Sequence, residues 1–231
     1  MFEKPSRTTV LVAAGAMVAL AVVVFVLVMQ LPEVVGLGSK VKLPIFHGAS
    51  TWVDIMLFVL MGIVAAVFVV RRSDAAYAWE VGLRAVAMPL WAVNSALGFV
   101  AAMNTWDFTG SKQSPLVVAR QDPRLTAQLV LLLAIGVVLL LDWLVLETRL
   151  HKALADLAFV GVATFMLSDI FLDPAKRALH PDSPVLNSGW EIKLPFFGVV
   201  GAWLVCMLVG AWLVRGFVGP ARVPEPATPG E

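Results

Sequence analysis

Cysteine is nearly absent from this chain. The one cysteine among its 231 residues, Cys206, lies inside an apolar run, which excludes an intramolecular disulfide, a CxxC thiol relay and a cysteine-based zinc site. Charge is scarce as well: 14% of the residues are Asp, Glu, Lys or Arg, against about 25% in an ordinary soluble domain. Neither sign dominates, with 17 Lys and Arg facing 16 Asp and Glu, so the electrostatic basis for holding nucleic acid is missing. What fills the space is apolar, 60% of all residues. Such a composition belongs to a polytopic membrane protein, and the chemistry left to it rests on three histidines, a few carboxylates within apolar runs and eight tryptophans.

A membrane-crossing helix needs about 20 mostly apolar residues. Six runs meet that length, each bounded by charge, Pro or Gly: Thr8–Leu31, Ala49–Val70, Val81–Met103, Leu125–Leu146, Leu154–Leu172 and Leu194–Val218. The expected fold is an all-α polytopic bundle of six spans over residues 1–218. The first run is too long for a signal-peptide core and no small-residue cleavage site follows it, so it is expected to stay as a helix. The Pro-rich, polar stretch 219–231 reads as a disordered tail. Lys and Arg nearly balance between the two sides, but the connections on the side of the termini, Arg71–Glu80 and Glu147–Ala153, are short and charge-dense. Short loops carry the positive-inside rule, which places the termini in the cytoplasm.

Six spans bring three long connections, Pro32–Gly48, Asn104–Pro123 and Asp173–Lys193, together on the far side. They hold His47 and His180, an imidazole pair of the kind that ligates haem iron from two sides. Trp52, Trp106 and Trp190 are candidate walls for a porphyrin. Lys40, Lys42, Arg120, Arg124, Lys176 and Arg177 are candidate partners for its propionates, the arginines preferred because their planar fork pairs a carboxylate bidentately. The plainer reading keeps both histidines as interfacial polar residues without a ligand. No histidine falls inside the six runs, which disfavours a haem held between spans. His151, beside Arg149 and Lys152, reads as solvated surface.

Asp54 lies within the second run. His47, Thr51 and Asp54 are spaced i, i+4, i+7 and share one face if the helix already starts near His47. The carboxylate is then either a polar lining or proton-handling group beneath His47, or a tie between helices bonded to Asn94 or Ser95. Asp142 and Asp169 read as interfacial. Trp79, Trp143 and Trp212 form a belt at the cytoplasmic boundary, and Trp91 and Trp203 read as packing residues. The segment Val41–Phe46 (VKLPIF) mixes apolar and basic residues and is expected to lie on the membrane surface, delivering His47 to the head of the second span.

Three short segments resemble the haem-handling cytochrome c biogenesis proteins of the CcmC type. FHGASTW sets Trp52 five residues after His47; DPRLTAQLVLLL carries Asp122, Arg124, Leu125 and Thr126 into the fourth span; ALHPDS places His180 ahead of the last span. The tryptophan-rich loop of that family is represented here by Trp106 alone, upstream of TGSKQSPLVVARQDPR. The resemblance implies six spans, a b-type haem held stably or in passing by His47 and His180, and presentation of that haem to a haem chaperone rather than bond-making catalysis. It also implies ABC-type transporter subunits as partners and a bacterial cytoplasmic (inner) membrane as location. The residues alone leave open a cofactor-free subunit of a larger membrane complex, and a small proton-coupled transporter organised around Asp54 and Asn94.

Overall fold

The computed structural model describes residues 4–35, 37–106, 112–173, 176, 185 and 188–218. Among them it is all helix, without a strand, and six helices are long and apolar enough to cross a membrane. The protein is an integral membrane helix bundle. In chain order the helices are α1 (Arg7–Met29), α2 (Lys42–Arg71), α3 (Asp74–Thr105), the short α4 (Pro115–Arg120), α5 (Pro123–Leu144), α6 (Arg149–Leu172) and α7 (Trp190–Arg215), with a single 3-10 turn (Ser39–Val41) leading into α2. Residues 219–231, His180 and Arg177 lie outside the described residues.

Polar caps set where the helices start. The Ser6 hydroxyl accepts from the Thr9 N–H, Ser73 from Ala76, Thr148 from His151, and the Asp122 carboxylate from both Arg124 and Leu125. Each satisfies backbone donors that a helix N-terminus leaves unpaired. These caps carry the helices further than hydropathy suggests. The link expected over Arg71–Glu80 shrinks to Arg72 and Ser73, Arg72 closing α2 in the left-handed region at φ 52°. Glu80 is thereby drawn into α3 and fully buried. VKLPIF does not lie along a membrane surface either: it forms the entry to α2, with Val41 and Ile45 in the core.

The pair α2 and α3 is the centre of the bundle. Helix α7 lies against α1, α3 and α2; α6 lies against α2 and α5; α5 leans on α3. Helix α1 packs mainly on α7 and turns most of its surface outward. Val53, Leu57, Met61, Met88, Trp91, Leu131 and Val199 fill the interior, with Phe58 tilted on Trp91 at 5.5 Å and edge-on to Phe159 at 5.0 Å between ring centroids. The periphery exposes Leu133, Val137, Phe165 and Leu194. Large apolar side chains both inside and outside are what a bundle surrounded by lipid demands. The first and last described residues meet at one end of the bundle, where the Lys4 ammonium lies 5.8 Å from the centre of the Phe217 ring.

Candidate functional site

At the end of the bundle opposite the termini, α2, α3 and α5 converge on a polar cluster. Because α2 begins at Lys42, His47 belongs to it rather than to a loop. The expectation that no histidine lies in a span is therefore corrected. Arg71 and Arg72 mark the other end of α2. His47 stands 24 residues from Arg71, about 36 Å at 1.5 Å per residue, slightly more than the roughly 30 Å of a hydrocarbon core. Asp54 stands about 26 Å from Arg71, inside that thickness.

His47, Thr51 and Asp54 do share one face of α2, and Asn94 of α3 meets all three. Asn94 Nδ2 donates to Thr51 Oγ1 at 2.9 Å and to Asp54 Oδ2 at 3.0 Å. Its carbonyl, Oδ1, faces His47 Nδ1 at 2.8 Å. Thr51 spends its own hydroxyl hydrogen on the His47 backbone carbonyl, 2.9 Å away. The directions are thus fixed in sequence. Both acceptors of the Asn94 amide set its orientation, its oxygen can only accept, and the proton of His47 must sit on Nδ1. Nε2 faces α5. Toward that nitrogen points Gln128 Nε2 of α5, in a long contact of 3.4 Å.

The cluster lies deep. Asp54, Asn94 and Gln128 are buried and His47 is half-buried. Gly98 lets the imidazole fit, since a Cβ there would stand 2.6 Å from His47 Cε1 and 2.9 Å from Nε2. Two oxygens in the cluster, Asp54 Oδ1 and Gln128 Oε1, have no donor among the described residues. Asn94, not Ser95, is the partner of Asp54; the Ser95 hydroxyl bonds back to the Trp91 carbonyl.

The other candidates share the same end of the bundle without joining the cluster. Trp52 lies about 140° around α2 from His47 by helix periodicity and is 55% exposed. Trp190 opens α7, also exposed, and Trp106 caps α3, half-buried. Arg120 ends α4 on the surface; Arg124 is half-buried in the first turn of α5. The Lys42 ammonium donates to the Met29 carbonyl at 2.8 Å. Lys40 is exposed, and Lys176 pairs with Asp169, whose carboxylate raises the lysine above its ordinary pKa. No family model, curated protein or solved structure matches the chain.

Gln128 escaped the sequence reading, although a primary amide three residues into a leucine-rich span is itself a signal of an interhelical bond. Glu80 and Asp156 escaped it too. Both sit at 0% exposure on the side of the bundle that holds the termini.

As a ligand for a metal-centred cofactor, the cluster offers one nitrogen in suitable form. An imidazole whose Nδ1–H is bonded to a carbonyl matches the way protein imidazoles are oriented to bind a metal through the other ring nitrogen. Ligation at Nε2 would displace the long Gln128 contact.

Proposed function

We propose that the protein is a haem-handling membrane protein of cytochrome c maturation, binding haem through His47 and His180 and presenting it to a haem chaperone. One observation carries the reading: the chain from Asp54 and Thr51 through Asn94 to His47 Nδ1, which orients the ring with Nε2 on its far side. The resemblance of FHGASTW, DPRLTAQLVLLL and ALHPDS to the CcmC type supports the same conclusion. Arg120 and Arg124, at the His47 end of the bundle, are suited to the propionates, and Trp106 and Trp190 to the porphyrin faces, whereas Trp52 stands on another side of α2 from His47. Haem would bring an iron that accepts imidazole nitrogen; the protein's part is to hold and orient it. The termini then face the cytoplasm of a bacterium, the site faces outward from its inner membrane, and ABC-type transporter subunits are the further partners.

A second reading, a small proton-coupled transporter, draws on the unpartnered Oδ1 of buried Asp54. One experiment separates the two. Purified protein given haemin should develop a Soret band that His47→Ala and His180→Ala each weaken or shift, while His151→Ala, on the exposed first turn of α6, leaves it unchanged. The double variant should cost little beyond the worse single one, since residues acting on one centre are not additive. If the wild-type protein takes up no haem, or both single variants keep its content and spectrum, the reading fails. Proton uptake that depends on Asp54 would then favour the transporter, and its absence a cofactor-free subunit.

A further inference from the structure

A second charged cluster lies at the opposite end of the bundle, between α3, α5 and α6, and the haem reading makes no use of it. Glu80 and Arg84 come from α3, Asp142 from α5, Lys152 and Asp156 from α6. Arg84 reaches Asp142 at 3.4 Å and Asp156 at 3.5 Å, and Lys152 reaches Asp142 at 2.9 Å. Side-chain exposure falls inward, from 23% at Lys152 and 21% at Asp142 to 11% at Arg84. Glu80 and Asp156 stand at the dry end of that gradient with 0% exposure.

There the two carboxyls are buried as neighbours beside the Arg84 guanidinium. Among the described residues no N–H or O–H donor bonds either oxygen of Glu80 or either oxygen of Asp156. Two carboxylates cannot bond one another, because neither has a hydrogen to give; a carboxylic acid and a carboxylate can. The local charge count agrees. Glu80, Asp142 and Asp156 set three negative charges against the two positive ones of Arg84 and Lys152, and a single added proton makes the group neutral.

We infer that Glu80 and Asp156 form a proton-binding site, one proton held between the two carboxyls and joining α3 to α6. The ligand is the proton itself. Its entry runs along the exposure gradient, from the surface at Lys152 and Asp142 past the Arg84 guanidinium. Arg84 lies on the Asp156 side of the pair, which makes Asp156 the ionised partner and Glu80 the acid.

Infrared spectroscopy of the protein in lipid reads this directly. At neutral pH the wild type should show the carbonyl stretch of a protonated carboxyl. Glu80→Gln should remove it, and so should Asp156→Asn, whereas Asp142→Asn should leave it in place. Asp54→Asn, at the other end of the bundle, identifies any contribution from that carboxyl. Glu80→Gln is the decisive variant, because a glutamine amide donates to Asp156 where the proton did and should retain the wild-type unfolding temperature. Should either variant fail to fold, dicyclohexylcarbodiimide, which attacks protonated carboxyls in apolar surroundings, serves on the wild type. One adduct per chain on the Glu80 or Asp156 peptide is expected. A band that both variants leave intact, or a wild type with neither band nor adduct at this pair, overturns the proposal.

Discussion

At the residue scale, Asn94 does more than any other side chain in the outer cluster. It is a buried amide with both donors and its acceptor in use, bonded to three residues on one face of α2. Asn94→Leu strips Asp54 of its donor and His47 of its acceptor while preserving approximate volume. Leaving buried polar groups unsatisfied costs about 1–3 kcal/mol each, so the unfolding temperature in detergent should drop sharply. Thr51→Val, which removes one acceptor and one donor of a neutral bond, should cost about 1 kcal/mol. Nitrogen NMR of a labelled histidine should report Nδ1–H at His47 in the wild type and a mixture of tautomers in Asn94→Leu. A mixture already present in the wild type would remove the argument for a prepared ligand. Much of this cluster was legible beforehand. The i, i+4, i+7 spacing of His47, Thr51 and Asp54 is visible in sequence, as is an Asn inside an apolar run. Gln128 and Gly98 were not, because nothing in the order of residues says that α5 and α3 close around the ring.

At the scale of elements, hydropathy located every span but misjudged where several begin. The apolar signal fades at Glu80, yet α3 continues through it because Glu80 is buried in a cluster where Arg84 meets Asp142 of α5 and Asp156 of α6. A sliding average of side-chain polarity has no means of seeing such compensation. The seams between helices depend on the opposite feature, an absent side chain. At Gly82 a Cβ would stand 2.3 Å from the Ala211 carbonyl oxygen, so α3 and α7 touch backbone to backbone there. Gly82→Ala must push the two helices apart, at a cost of about 1–3 kcal/mol for overpacking. Gly15 on α1 has nothing within 4 Å of its would-be Cβ. Gly15→Ala should be neutral or gain up to about 1 kcal/mol from better helix propensity. Thermal unfolding of the two variants in one detergent makes the comparison, and equal midpoints would mean that the α3–α7 seam is slack.

At the scale of the whole molecule, an even number of crossings sorts the connections into two sets, and the two polar clusters fall one to each set. His47, Arg120, Arg124 and Trp190 lie at the end where α3 finishes and α5 and α7 start. Glu80, Arg84, Asp142 and Asp156 lie toward the end that carries both termini, near the Lys152 and Arg149 side chains. The orientation proposed from short, basic connections sets the first cluster outside the cell and the second inside. Single cysteines test it well in this protein, because the native Cys206 is buried, its thiol against the Met17 carbonyl, and should stay silent. Ser39→Cys and Ser114→Cys, beside α2 and α4, should react with an impermeant thiol reagent added to intact cells. Ser6→Cys and Ser73→Cys, the caps of α1 and α3, should react after the membrane is opened. The reverse pattern would keep the six spans and invert the protein, placing His47 in the cytoplasm and removing the outward presentation of haem. Labelling of Ser39→Cys and Ser73→Cys from the same side would break the six-span arrangement itself, since α2 alone separates them.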